Sequence, residues 1–292
     1  MDGMTLEQLR IFIAVAEREH VTRAAKALNL TQSAVSATIS ALEDRHGVHL
    51  FDRIGRGIAL NEVGRAFLDE ARSVLTRAEQ ARRMLDDFGG LKRGLLSIVA
   101  SQTIAGYWLP PIIARFRARF PGITVELSIG NSREAAAKVR DGVAELGFIE
   151  GLIEDPAVAR WQVDEDQLAL IGTDLPERLD DETLPKLPWL VREQGSGTRA
   201  AFAAAMEARG LDIDAFDLRL TLPSNEALLT AAAAGAGVTV LSLLVAGRLI
   251  ATGAVQAAPF ALPPRPFYAL RHKERYQSQA AQAFVEMVGS TR

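Results

Sequence analysis

The sequence predicts an α/β protein with a small helix-rich domain at its N-terminus. Three observations lead to this fold class. Apolar residues recur at helical intervals up to about residue 88, whereas strand-like and helix-like segments alternate beyond residue 94. The chain, at 292 residues, is also longer than one ordinary domain requires. We therefore expect a helical domain, a long connecting helix and a larger α/β domain, in that order.

Composition excludes several classes of protein. The chain contains no cysteine, which excludes disulfide scaffolds, thiolate metal sites and thiol-based redox sensing. Its net charge of −3 gives no overall basic character, so any nucleic-acid binding must come from local placement of residues. The N-terminus lacks the features of a signal peptide, and the apolar stretch 228–244 is interrupted by Thr, Gly and Ser. We expect a cytoplasmic protein with no membrane role.

The first 46 residues have the outline of a helix-turn-helix. Thr5 can cap a first helix, and Ala24 and Ala25 allow a second helix to approach its neighbours closely. Thr31 follows a tight turn and can cap a third helix, on which Val35 and Ile39 face the core. The opposite face is short, polar and uncharged, which suits contact with base edges in a major groove. The alternative is an ordinary solvated face.

Two short strands at 51–58 surround a glycine-containing turn and resemble a wing. The turn displays Arg53 and Arg56, which can reach phosphates or the minor groove. The alternative for both arginines is surface ion pairing. The predicted DNA-binding residues are Arg23, Thr31, Gln32, Ser33, Ser36, Ser40, Arg53 and Arg56.

Many spaced positions in this region resemble the N-terminal signature of LysR-type transcriptional regulators. They are Ala24, Ala25, Leu28, Gln32, Ser33, Ala34, Val35, Ser36, Ile39, Leu42, Glu43, Gly47, Leu50, Phe51, Asp52, Arg53 and Gly64. The resemblance implies a winged helix-turn-helix fold and DNA binding for about residues 4–65. It departs at His20, Ser33 and Asn61, where the family usually has Ser, Pro and Thr. Asn61 can still cap the next helix, whereas His20 leaves the start of the second helix open.

A heptad seam then runs along one long helix. Its apolar residues are spaced alternately by four and three positions: Phe67, Ala71, Val74, Ala78, Ala81, Leu85 and Phe88. Such a helix cannot cover its own stripe, so we expect a second copy of the chain to cover it, as the resemblance also implies. The alternative is packing against the C-terminal domain. Gly89 and Gly90 end the helix, and a hinge follows.

Beyond the hinge, strands alternating with helices predict a parallel sheet in each of two lobes. A proline-rich segment at 263–266 breaks the chain before a last strand at 267–272 and a closing helix. The expected domains are residues 1–61 (winged helix-turn-helix), 62–88 (dimerisation helix), 89–94 (hinge) and 95–292 (α/β domain). Lobe 1 covers about 95–165 and 267–292, and lobe 2 about 166–266.

This part resembles the LysR effector domain, which is similar to periplasmic solute-binding proteins. The matching positions are Leu109, Pro110, Phe120, Pro121, Gly130, Gly142, Gly147, Ala234, Gly235, Ala236 and Gly237. At Glu145 many relatives have Asp, which leaves the role of that carboxylate open. The resemblance implies a two-lobed, periplasmic-binding-protein-like effector domain.

Polar residues at the ends of strands in both lobes predict an anion site. Ser101 and Thr103 follow the first strand, and the segment 194–199 connects a strand to a helix in lobe 2. Helix N-termini offer free N–H groups and partial positive charge, and glycines allow close approach. The alternative is that the hydroxyls only cap helices. The predicted effector-binding residues are Ser101, Gln102, Thr103, Asn131, Ser132, Glu193, Gly195, Ser196, Gly197 and Thr198.

The Gly-Ser-Gly-Thr run resembles the family members concerned with sulfur assimilation and sulfite response. This implies sulfite, sulfate or a similar oxyanion as effector. The run also occurs in relatives that sense phosphorylated or carboxylated metabolites, so that class stays open.

No catalytic cluster is visible, since three of the four histidines belong to the DNA-binding part. We therefore expect neither an enzyme nor a metal or other cofactor. A solute-binding protein would need an export signal and no helix-turn-helix. The expected partners are double-stranded DNA, a small anion, a second copy in a homodimer or homotetramer, and RNA polymerase.

Overall fold

The computed structural model describes residues 3–55, 57–87, 93–176 and 178–289. Its contacts divide the chain into two compact units, Met1–Arg82 and Arg83–Arg292, which we describe separately. Arg56, Phe88 and most of the expected hinge (89–92) lie outside the described residues. Among the described helices, none is long and apolar enough to cross a membrane.

The N-terminal unit is a winged helix-turn-helix, as the sequence predicts. Its elements are α1 (Leu6–Ala16), α2 (Val21–Ala27), α3 (Gln32–His46), β1 (Phe51–Ile54), β2 (Gly57–Leu60) and the long α4 (Glu62–Asp87). Thr5 caps α1 in a capping box, and Thr31 caps α3. The start of α2, which the sequence leaves open, is settled by His20, whose Nδ1 accepts from the backbone N–H of Arg23 at 3.4 Å. Asn61 Oδ1 accepts from Gly64 N–H at 2.8 Å, as expected of a cap for α4.

The first turns of α4 correct the interpretation of the heptad seam. Phe67 and Ala71 pack into the core of their own domain, with the ring of Phe67 4.7 Å from that of Phe12. A second chain is therefore not needed to cover Ala71, and Phe67 is already partly buried against Phe12 of α1. Further along, Val74 and Leu85 are 44% and 73% exposed. The part of the seam that is open to a partner thus begins at Val74.

Lobe 1 of the α/β domain is a five-stranded sheet in the order β4-β3-β5-β12-β6. Its strands are β3 (Gly94–Ala100), β4 (Ile123–Ile129), β5 (Leu146–Glu150), β6 (Val158–Asp166) and β12 (Arg265–His272). The helices are α5 (Leu109–Arg119), preceded by a π-helical turn at Ile104–Trp108, α6 (Ser132–Asp141) and α10 (Gln279–Gly289). α5 and α10 cover one face around Phe116 and Phe284, and α6 covers the other.

Lobe 2 is formed by the part of the chain between β6 and β12. Its strands are β7 (Leu168–Gly172), β8 (Trp189–Arg192), β9 (Leu218–Leu222), β10 (Thr239–Ser242) and β11 (Gln256–Ala257). Its α-helices are α7 (Gly197–Glu207), α8 (Asn225–Ala233) and α9 (Leu243–Ala251). The core is built around Trp189, which packs against Phe202 with ring centres 4.5 Å apart and the rings tilted by 34°. A bridge from Trp189 to Val238 joins the two small sheets.

The structure corrects three expectations about the sheets. They are mixed rather than parallel, because β12 runs antiparallel to β5 and β6, and β7 runs antiparallel to β10. β6 was not expected, since charged residues interrupt its apolar pattern and its two valines, Val158 and Val163, pack into different cores. The last strand begins at Arg265 rather than residue 267, so Pro266 lies inside it, opposite Glu165. The hinge is also shorter than expected, because Gly94 already belongs to β3.

Candidate functional site

The outer face of α3 and the wing form the candidate DNA-binding surface. Gln32, Ser33 and Ser40 are exposed, and Ser36 is half-buried. Thr31 Oγ1 accepts from the backbone N–H of Ala34 at 3.2 Å, so its hydroxyl serves the helix start. Packing of Val35 and Ile39 into the core holds the polar face outward, where it can meet base edges.

A groove of about 900 Å³ separates α3 from the wing. Gln32, Ser36 and Ser40 line it from the helix, and Arg53 lines it from β1. Arg53 is exposed and makes no ion pair with any described residue, so its guanidinium is available to a phosphate. Arg23 is also exposed, on α2.

In the α/β domain, two buried hydroxyls that the sequence singled out meet at one guanidinium. Arg265 is 2% exposed. Its Nη1 donates to Thr198 Oγ1 at 3.0 Å, and its Nη2 lies 3.5 Å from Thr103 Oγ1. Thr103 belongs to lobe 1 and Thr198 to lobe 2, so Arg265 joins predicted residues of both lobes.

Two buried carboxylates face this guanidinium. Asp166, opposite Arg265 in the β12/β6 register, pairs directly with its Nη2. Glu150 Oε1 lies 3.8 Å from the same nitrogen. Ser242 donates to Asp166 at 2.7 Å, which satisfies the second oxygen of that carboxylate. This cluster, Arg265 with Asp166, Glu150, Thr103 and Thr198, is called the Arg265 cluster below.

Two donors near the ends of these strands have no hydrogen-bond partner among the described residues. They are the buried Ser101 Oγ and Arg265 Nε. Ser101 follows β3, the neighbour of β5 in the sheet. Buried polar atoms are nearly always hydrogen-bonded in proteins, so each of these unpartnered donors marks a position where an acceptor fits.

Helix capping explains some of the predicted residues and not others. Ser196 Oγ accepts from Thr198 N–H at 3.2 Å as the N-cap of α7. Asn131 caps α6 in a capping box with Glu134. Thr103, by contrast, makes no side-chain cap, and Thr198 lies inside α7. Ser196 and Asn131 therefore act as helix caps, whereas Thr103 and Thr198 accept hydrogen bonds from Arg265 instead.

The turn before α7 needs its two glycines for different reasons. Gly195 has a φ of +91°, a left-handed conformation that favours glycine. At Gly197, a Cβ would lie 2.6 Å from the carbonyl oxygen of Glu150 and 2.7 Å from Ser132 Oγ. The close approach that Gly197 allows is thus between lobe 2 and lobe 1 of the protein.

Gln102 and Asn225 join the lobes on another side of the cluster. Gln102 Nε2 donates to the carbonyl of Pro223 at 2.7 Å, and its Oε1 accepts from Asn225 N–H at 2.9 Å. Asn225 Nδ2 donates to Thr103 at 3.0 Å. The amide of Gln102, predicted to bind effector, is thus engaged in contacts between the lobes.

Glu193 forms an ion pair with the buried Arg192, whose Nε lies 2.8 Å from Glu193 Oε2. Burial by itself would raise the pKa of Glu193. The hydrogen bond and the positive charge of Arg192 outweigh it, so the pKa lies below its usual value. Asn131 Nδ2 also contacts this carboxylate, at 3.4 Å. Glu193 is therefore an ionised link between α6 of lobe 1 and β8 of lobe 2.

A cleft of about 340 Å³ opens beside these contacts. Four predicted residues line it: Ser132, Gly195, Ser196 and Gly197. Arg133 and Arg199 add positive charge, although Arg199 is paired with Asp214 at 3.2 Å. Glu150 reaches both the cleft and the Arg265 cluster.

Sequence reasoning missed four charged residues of this site and one amide, namely Glu150, Asp166, Arg192, Arg265 and Asn225. Arg265 lay in a segment expected to be a break, and its partner Asp166 closes a strand that was not expected. The signal available was a lone arginine between two prolines at the start of an apolar strand. The described residues hold no group of three or more potential metal ligands.

Comparisons with known proteins agree with this architecture. The family profile "Bacterial regulatory helix-turn-helix protein, lysR family" matches residues 6–65, and "LysR substrate binding domain" matches residues 89–291. The chain is 32% identical over 289 residues to the uncharacterized HTH-type transcriptional regulator YeiE of Escherichia coli K12, covering 97% of this chain and 96% of that protein. It is 31% identical over 297 residues to a probable RuBisCO transcriptional regulator of Trichormus variabilis, covering 97% and 87%.

Solved structures share the fold. CbnR, a LysR family transcriptional regulator, superposes with a TM-score of 0.75 at 23% identity over 98% of both chains. Full-length CbnR complexed with its target DNA superposes with a TM-score of 0.74 at 23% identity, covering 99% of this chain and 100% of that one. The two family profiles span most of the sequence, and relatives above 30% identity run along its length. The protein therefore belongs to the LysR family and is a DNA-binding transcription regulator with an effector-controlled C-terminal domain.

Proposed function

We propose that the effector of this regulator is a small anion, sulfite, sulfate or a similar oxyanion, held between the two lobes by hydroxyl groups from both. The observation that carries the proposal is that Thr103 of lobe 1 and Thr198 of lobe 2 both accept from the buried Arg265 guanidinium. Since each hydroxyl accepts there, its own proton can be donated to an anion. The unpartnered Ser101 Oγ and Arg265 Nε add two more donors.

An effector between the lobes can control DNA binding only if it prefers one arrangement of the lobes. The contacts that such a ligand would bias are those of Gln102 with Asn225 and of Asn131 with Glu193, which join lobe 1 to lobe 2. We propose that the change reaches DNA through a dimer, or a tetramer of two dimers. The open part of the α4 seam, from Val74 to Leu85, would form the interface between the two chains of a dimer. RNA polymerase would be a further partner of the regulator.

On the DNA side, Gln32 and Ser36 would read base edges while Arg23 and Arg53 contact phosphates. The groove between α3 and the wing, lined by Gln32, Ser36 and Arg53, supports this assignment.

The 340 Å³ cleft favours a second class of effector. Pockets for organic ligands begin at about 300 Å³, so a phosphorylated or carboxylated metabolite would fit the cleft, with Arg133 and Arg199 near its charged group. Titration with such compounds separates this class from the inorganic oxyanions.

The test is Thr198→Ala, with Ser196→Ala as its matched control. Thr198→Ala removes a donor without touching the cap of α7, and should weaken anion binding by about 1.5–3 kcal/mol, which is tenfold to over a hundredfold. Ser196→Ala removes the cap and should lower stability by about 1 kcal/mol. Calorimetric titration with sulfite, sulfate and phosphate measures affinity, and melting curves measure stability. Unchanged affinity in Thr198→Ala would place the effector elsewhere.

A further inference from the structure

The carboxylate of Glu150 lies among the residues assigned to the effector. Its side chain is buried, and its Oε2 is 3.3 Å from the hydroxyl of Ser132, the first residue of α6. Its Oε1 is 3.8 Å from Arg265 Nη2, and its Cβ would be 3.0 Å from a Cβ at Gly197, the first residue of α7. Glu150 therefore sits where the starts of two helices from different lobes meet a buried guanidinium.

Helix N-termini, a serine hydroxyl and a guanidinium are the groups that bind an anion. Here the Ser132 hydroxyl and the Arg265 guanidinium already face the Glu150 carboxylate, an anion that belongs to the protein. The Arg265 cluster contains two carboxylates, Asp166 and Glu150, for a single guanidinium. The neighbouring Arg192 is matched by its own partner, Glu193. An added anion would bring a third anionic group to Arg265.

The two carboxylates differ in how firmly they are held. Asp166 pairs directly with Arg265 and also accepts from Ser242 at 2.7 Å. Glu150 is 3.8 Å from the guanidinium, and the Ser132 hydroxyl that approaches its carboxylate also lies 3.0 Å from its backbone carbonyl oxygen. Glu150 also lines the open cleft, which gives its side chain a place to go. Of the two, Glu150 is the one that can leave.

We propose that Glu150 is a built-in competitor of the effector: its carboxylate holds the anion position in the free protein, and an anion binds by displacing it. The inference rests on the proposed function, since it concerns the same site. Displacement leaves the guanidinium beside two anionic groups, Asp166 and the bound anion, instead of three. It also removes a side chain held between the starts of α6 and α7, which ties anion binding to the arrangement of the lobes.

The test compares Glu150→Gln with the wild-type full chain. Glutamine keeps the shape of the side chain but removes the competing charge, so sulfite, sulfate or phosphate should bind at least tenfold more tightly, about 1.4 kcal/mol. The anion concentration that alters DNA binding should fall by the same factor, because the two equilibria are linked. The control is Glu126→Gln, which removes one negative charge from an exposed position on β4 of the same lobe and should change affinity less than twofold.

The outcomes separate the two proposals. If an anion binds the wild-type protein and Glu150→Gln binds it equally or more weakly, Glu150 is not a competitor, while the anion site itself stands. If no anion binds either protein, the proposed function fails and this inference fails with it.

A second variant keeps the inference testable if Glu150→Gln does not fold. Glu150→Ala leaves a vacancy of the size of a methylene and a carboxylate, which acetate can fill. Purified in acetate and then exchanged into chloride, this variant should melt at a markedly lower temperature in chloride than in acetate, whereas the wild-type protein should not distinguish the two salts. Equal melting of Glu150→Ala in both salts would contradict an anion position at Glu150.

Discussion

Removing the guanidinium of Arg265 should destabilise the effector domain more than any surface change in the same domain. Arg265 lies against two buried carboxylates, Asp166 and Glu150. Replacing it with methionine keeps much of the volume but leaves both carboxylates without their cation. Breaking a buried ion pair from one side costs about 3–5 kcal/mol. Because a whole domain is stable by only about 5–15 kcal/mol, Arg265→Met should remove a large part of that stability.

The assay is urea unfolding of the full chain followed by tryptophan fluorescence. The three tryptophans, Trp108, Trp161 and Trp189, all lie in the effector domain, so the signal reports on that domain and not on the DNA-binding domain. The matched control is Arg219→Met, which breaks a surface pair with Asp217. Exposed pairs contribute about 0–1 kcal/mol, so the control should unfold close to wild type.

Adding Asp166→Asn to Arg265→Met should recover part of the lost stability. The second change removes one of the two carboxylates left unpaired, and replacing both partners of a buried pair is often near neutral. The reasoning is refuted if Arg265→Met unfolds at the same urea concentration as Arg219→Met, because the carboxylates would then not depend on Arg265.

Three further predictions test the DNA surface, the seam and an interlobe link. Gln32→Ala should cost about 1–3 kcal/mol at a cognate site and little on random DNA, whereas Arg53→Ala should weaken both and reduce the salt dependence of binding, measured by fluorescence anisotropy. Val74→Asp would bury a charge in the seam and should split the dimer in sedimentation experiments. The pKa of Glu193 lies below its unfolded value of about 4.3. Its ion pair therefore stabilises the fold above that pH, and the contribution is lost as the pH falls through the lowered folded value. When the pH is lowered from about 6 to about 3, the melting temperature of Glu193→Gln should accordingly fall less than that of wild type.

Each of these has an outcome that would contradict it. Equal losses for Gln32→Ala on cognate and random DNA would exclude base reading. A dimer of normal affinity in Val74→Asp would mean that the seam is wrongly assigned. If the melting temperatures of wild type and Glu193→Gln fell in parallel with pH, the Glu193 carboxylate would not contribute to the loss of stability in acid.

The winged helix-turn-helix could be predicted from the sequence because its signals are local. Apolar spacing, caps such as Thr31 and the glycine turn of the wing all act within a few residues, and the structure confirms this fold. The same holds for most elements of the effector domain: β9 runs over the predicted residues, and α8 starts at Asn225 as expected. Local pattern also located Thr103 and Thr198 at the ends of strands and the starts of helices.

Only the tertiary structure decided what those residues contact. Whether Phe67 faces a partner chain or α1 depends on how α4 lies against its own domain, which a heptad pattern cannot distinguish. The Arg265 cluster depends on the antiparallel register that sets Arg265 opposite Asp166, 99 residues earlier in the chain. Charged residues in a strand look like solvent-exposed positions in the sequence. Burial becomes favourable for them only when residues of opposite charge on other strands pair with them. The spacing of residues along one strand carries no information about those partners.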